Sequence, residues 1–164
     1  MKITLLTLAS AALLSLGLIT ISEPTTATVP TFPLKQSNED CNNSLTHLRR
    51  QIASDGRQIS TELKATEISG YWEEGRPADR PYEVNVVMSG DYDDILAVLS
   101  SPQMLTSLSN GVIQNCNLVS VVTYALNRSD LLNSYGLINN TVQGFECPPN
   151  YGRGTRILWG FQHC

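Results

Sequence analysis

The sequence predicts an α+β domain: a mainly antiparallel sheet of about five strands with two principal helices packed on one face, closed by two disulfides. Three observations predict it. Apolar residues recur at helical spacing in two separate stretches, β-branched runs separated by turn residues fill most of the remaining chain, and four cysteines, Cys41, Cys116, Cys147 and Cys164, lie far apart. Strands joined by short turns suit this class better than a doubly wound parallel sheet.

The chain opens MKITLLTLASAALLSLGLITIS, a lysine followed by an apolar run broken only by small residues. That is a secretory signal pattern, with removal expected after Ala27. The competing reading is a retained anchor, since the run is near the roughly 20 residues that span a bilayer. Residues 28–40 mix proline and polar residues without periodicity and read as a flexible lead-in. Residues 41–164 are enough for one domain with its own core and too few for two. The expected location is therefore secreted or periplasmic, with no membrane contact once the signal is removed.

The first helix is read from CNNSLTHLRRQIAS, where Cys41, Leu45, Leu48 and Ile52 share a stripe opposite Arg49 and Arg50. Two strands follow, at residues 59–69 and 81–90, the second alternating Val84, Val86 and Met88 on one face. GDYDDILAVLS is a short helix for which Asp91 is the cap. SSPQM announces the second long helix, with Ser101 as N-cap, Pro102 in the first turn, and a stripe of Leu105, Leu108, Val112 and Cys116. Gly111 marks either a close backbone contact or a break in that helix. The passage 82–126 allows one parallel pairing through a right-handed crossover. Strands at 117–126, 131–138 and 141–147 come next, with NRSD as a turn and Asn139-Asn140 as a hairpin tip. PPNYGRGTR is a loop, and ILWGFQHC is a closing strand. In that strand Cys164 falls on the face opposite Trp159 and Phe161, a conflict that a bulge at Gly160 would resolve.

Four cysteines allow three pairings. If both helical stripes face one sheet and the helices run antiparallel, Cys41 meets Cys116, which leaves Cys147 for Cys164. Zinc sites bring ligands in close pairs, and the chain has only two histidines, His47 and His163, so no metal is expected. No cofactor motif occurs. The net charge of −4 comes from scattered, mixed charges rather than a basic stripe, which excludes a nucleic-acid partner.

SPQMLTSLSNGVIQNCNLVSVVTYAL, YGLINNTVQGFEC and the closing WGFQHC resemble small exported four-cysteine cyanobacterial proteins of unknown function. The likeness covers residues 41–164 and is sharpest from Ser101 onward. It implies export and two disulfides, and no activity.

The stretch SGYWEEGRPADRPYE sets Tyr71, Trp72 and Tyr82 among Glu74, Arg76 and Arg80, the aromatic and arginine combination that interfaces use as anchors. The competing reading is a strand connection whose rings cover the sheet edge. As a surface anchor, Trp72→Ala with Arg76→Ala would leave folding intact and abolish binding. Asp91, Asp93 and Asp94 lack the further ligands and the glycine of a calcium loop, so they read as a helix cap. Three glycosylation sequons occur, at Asn42, Asn127 and Asn139, and matter only where the export route has that machinery. There is no catalytic motif: Ser89 lacks the first glycine of a nucleophile elbow. The function expected is non-catalytic binding of an unknown extracellular protein or small ligand. The alternative is a small secreted hydrolase using carboxylates near Glu73 and Glu74 or Asp91 and Asp94, a paired-acid chemistry that adjacent residues on one strand serve poorly.

Overall fold

The computed structural model describes residues 39–68, 72, 75–148, 157–162 and 164. The signal, lead-in residues 28–38, Tyr71, Glu73, Glu74 and His163 lie outside the described residues; Glu39 and Asp40, expected to end the lead-in, instead begin the first helix. The element order is α1 (Glu39–Ile52), β1 (Ile59–Glu67), β2 (Tyr82–Gly90), α2 (Tyr92–Leu99), α3 (Pro102–Asn115), β3 (Val119–Leu126), β4 (Leu132–Ile138) and β5 (Thr141–Gly144). The five strands form one sheet in sequence order, antiparallel throughout except for β2 and β3, which the α2–α3 crossover makes parallel. No described helix is long and apolar enough to cross a membrane.

All three helices lie on one face. α1 buries Cys41, Leu45, Leu48 and Ile52, and places Glu39 and Asp40 in its first turn and Arg49 and Arg50 in its last, as the helix dipole favours. Its final carbonyls are held by Arg57, whose Nη1 donates to Gln51 O at 3.2 Å and Ile52 O at 3.4 Å. Asp91 caps α2, accepting from the backbone N–H groups of Asp93 and Asp94. Ser101 does not cap α3 in the expected way. Its hydroxyl instead donates back to Ala97 O at 2.7 Å, so the last turn of α2 captures it first. Gly111 neither breaks α3 nor marks a close contact, because the helix continues to Asn115 and a Cβ there would meet nothing within 4 Å. Against these helices pack Val84, Val86, Met88, Val122, Tyr124 and Tyr135 from the sheet, forming the larger core.

Both disulfides are formed as the helical stripes and the chain end suggest: Cys41–Cys116 ties the first turn of α1 to the end of α3, and Cys147–Cys164 ties the last residue to the segment after β5. The hairpin tip is also as expected, with Asn139 and Asn140 both at positive φ, the geometry that matches strand twist in a two-residue turn.

The expected closing strand is a correction. Ile157 and Phe161 make only isolated bridges, to Trp72 and Glu146, and the chain turns tightly at Trp159 and Gly160. Gly160 adopts φ +96°, accessible to glycine at little cost, and Phe161 N donates to Leu158 O across the turn at 3.1 Å. A turn rather than a bulge thus brings Cys164 round to Cys147. It also builds a second, smaller core of Ile68, Trp72, Val121, Phe145, Ile157 and Trp159. Gly136 accommodates this core on the sheet, since an added Cβ would overlap the Phe145 ring.

Candidate functional site

A β-bulge decides which side chains share the sheet face away from the main helix-packed core. Tyr82 pairs with Val119, but Glu83 pairs with Val121, so Ser120 is the extra residue. A one-residue slip reverses the alternation of everything after it. Val122 and Tyr124 are thereby sent to the helices, and Val121 and Thr123 to the opposite face, beside Glu83 and Asn85. On β3's other side Thr123 is in register with Ser134.

Glu83, Asn85, Thr123 and Ser134 floor a cavity of 370 Å³, lined also by Thr66, Glu67, Ile68, Leu132, Trp72 and Gln162. Glu83 Oε1 accepts from the Thr123 hydroxyl at 2.6 Å, and Thr123 Oγ1 lies 2.9 Å from Ser134 Oγ. Thr123 has one proton, committed to Glu83, so the Ser134 hydroxyl donates to Thr123. Ser134 N in turn donates to Gln162 Oε1 at 2.7 Å, fastening the C-terminal segment over the site. Asn85 bonds Glu83 and donates to Thr66 Oγ1 at 3.1 Å. Burial pushes the Glu83 carboxyl above its ordinary value, and the bonds from Thr123 and Asn85 pull the other way without cancelling the shift.

That shift has a consequence for stability. Between the ordinary value of 4.5 and the raised folded value, the native chain holds more protons than the unfolded one. Unfolding free energy therefore falls as pH rises through this window. Glu83→Gln, which has no proton to lose, should gain stability relative to the parent across that window and hold a constant advantage above it. Urea unfolding at a series of pH values checks this, and a difference independent of pH would contradict it.

Of the residues singled out from the loop, Trp72 lines the cavity, and Arg76, Arg80 and Tyr82 do not. Trp72 is only 7% exposed: it packs edge-on against Phe145 and Trp159 with centroids 5.3 and 5.5 Å apart, and its Nε1 donates to Phe161 O at 2.8 Å. Arg76 Nη1 donates to Ile68 O at 2.7 Å. Arg80 Nη1 donates to Ile113 O at 2.6 Å and Val119 O at 3.1 Å, linking the end of α3 to the start of β3. Tyr82 is buried in the helix-side core. Tyr71 and Glu74 lie outside the described residues. Of the three aspartates Asp91 caps α2 as expected, Asp93 and Asp94 are acids of its first turn, and Asp94 Oδ2 also accepts from Gln58 N at 2.8 Å, tying the helix to the start of β1. His47 is exposed on α1, beside a polar cleft against α3. Among the described residues, no group of three or more His, Cys, Asp or Glu side chains could hold a metal ion.

Sequence reasoning passed over Glu83, Asn85, Thr123, Ser134 and Gln162. The available signal was polar residues recurring on alternate positions of strands whose other face is apolar, Glu83 and Asn85 between Tyr82, Val84 and Val86. No protein family, curated protein or solved structure matches the chain.

Proposed function

We propose that the chain is an exported, non-catalytic binding module, secreted or periplasmic, whose recognition site is the cavity over Glu83. The supporting observation is the network from Gln162 through Ser134 and Thr123 to Glu83, which orders polar groups from β2, β3, β4 and the C-terminal segment around one open volume. Convergent polar groups in a partly apolar concavity are the usual makings of a small-ligand site. Two disulfides suit an oxidising compartment. Loop 69–81 contributes Trp72 to the cavity wall rather than an exposed anchor.

Equilibrium dialysis of the disulfide-bonded protein against an extract of the producing culture's medium, read by mass spectrometry, tests the reading. Retention of a small molecule by the parent protein, lost in Thr123→Val and Ser134→Ala, is expected. Retention unaffected by both variants would remove the cavity from consideration. Conversion of the retained molecule over time would favour the hydrolase alternative, for which Asp91 and Asp94 are otherwise occupied in holding α2.

A further inference from the structure

We propose that the Glu83 cavity takes a small organic cation, a primary ammonium carried on a short apolar body. This rests on the reading of the cavity as a ligand site and names what fills it.

Charge favours a cation. The Glu83 carboxylate sits half-buried at the cavity floor, and no basic side chain among the described residues pairs with it, whereas Asp55 and Glu62 have Arg57 and Lys64 as partners. The bonds from Thr123 and Asn85 offset part of the cost of burying that charge, and a cation would offset more. The described cavity lining holds Glu67 as a further acid and no lysine, arginine or histidine.

The direction of the hydrogen bonds favours a donor. The Thr123 proton goes to Glu83, the Ser134 proton to Thr123, and the Asn85 amide to Thr66 and Glu83. With those donors spent, Glu83, Thr123 and Ser134 offer lone pairs to an occupant; the donors that remain in this network are the Thr66 hydroxyl and the Gln162 Nε2 amide, which also reaches Cys164 Sγ at 3.9 Å. A primary ammonium carries three donors and no acceptor, the complement of such a floor. Calcium or magnesium would demand six or more oxygen ligands, usually with several carboxylates, and the floor supplies one.

The wall favours an apolar body. Ile68, Trp72 and Leu132 line the same volume and would take the methylenes of an alkyl body. The 370 Å³ available is within the range of small-ligand pockets.

The test is an NMR titration of the full disulfide-bonded chain with n-butylammonium chloride, beside n-butanol, sodium butyrate and calcium chloride. Saturable shifts of the Thr123 and Ser134 amides are expected with the ammonium salt alone. Glu83→Gln should weaken that binding by about tenfold or more, the scale of a lost charge-assisted hydrogen bond. Glu62→Gln, on β1 and ion-paired to Lys64, should bind as the parent does. Should Glu83→Gln fail to fold, the parent protein still decides: saturating n-butylammonium should move the titration of the Glu83 carboxyl resonance to lower pH. Equal binding of n-butanol, undiminished binding by Glu83→Gln, an unmoved Glu83 titration, or a response to calcium alone would each overturn the proposal. If dialysis instead yields a neutral or anionic ligand lost on cavity substitution, the binding reading stands and the cation falls; if nothing is retained and n-butylammonium does not bind, both fall.

Discussion

Trp72→Ala is expected to lower the unfolding free energy by about 3–5 kcal/mol, the range for removing a large buried aromatic. The side chain is the hub of the smaller core, edge-on to Phe145 at 5.3 Å and to Trp159 at 5.5 Å, with its indole N–H committed to Phe161 O. Truncation removes both ring contacts, leaves a void in the cluster that Ile68, Val121 and Ile157 share with it, and takes away the donor that holds the C-terminal segment down. In a domain with a net stability of about 5–15 kcal/mol, that is a large share. Chemical denaturation followed by tryptophan fluorescence and far-ultraviolet circular dichroism measures it. Trp72→Phe, which keeps a ring and loses the N–H, should fall between the parent and the alanine variant. An unchanged midpoint for Trp72→Ala would restore the exposed-anchor reading, in which this residue is dispensable for folding. The substitution therefore separates the two roles the sequence allows for the loop.

The contrast at Trp72 shows where the sequence runs out. Helices were legible because their signals are local: the Cys41–Leu45–Leu48–Ile52 stripe, Asp91 before two acids, and Pro102 at a first turn each act within a few residues. The disulfide pairing was legible because both long helices carry a cysteine on the buried stripe. The second core was not, because it joins residue 72 to residues 145 and 157–161, and nothing local in SGYW or ILWGF announces that partnership. The candidate site was hidden for a sharper reason. Thr123 reaches Glu83 only because the bulge at Ser120 reverses the facing of β3; in unbroken register with β2, Thr123 would point at the helices and Val122 at the cavity. The run LVSVVTYAL is apolar enough to be buried on both faces, so its alternation could not reveal the reversal. Ser101 is no side-chain cap for a related reason: its hydroxyl is turned back to donate to Ala97 O in the preceding helix, instead of accepting from an N–H of α3.

Removal of the Cys41–Cys116 bridge by paired alanine substitution should cost about 4.5 kcal/mol, against about 3 kcal/mol for Cys147–Cys164, if loop entropy dominates. The separations, 75 and 17 residues, set that order, because the longer loop restrains more of the unfolded chain. The folded state pulls the same way. Cys41 and Cys116 are 2% and 4% exposed, so their truncation also loosens the contact between α1 and α3, whereas Cys164 is exposed at the chain end. Beyond the bridge, the C-terminal segment is held by Glu146 N to Gly160 O at 2.8 Å, Gln162 N to Glu146 O at 2.9 Å and Trp159 Nε1 to Leu137 O at 2.8 Å. The Cys147 and Cys164 double variant should therefore keep its sheet and open locally, with faster amide exchange at Gln162 and Ser134 at the cavity edge and little change in α1. The Cys41 and Cys116 double variant should instead show a lowered global midpoint and faster exchange throughout the helix layer. Hydrogen exchange read by mass spectrometry beside urea unfolding distinguishes the two patterns. If the short-loop variant proves the less stable, chain entropy is not what the bridges supply, and the C-terminal clamp over Glu83 is the principal contribution of the sulfur pairs to this fold.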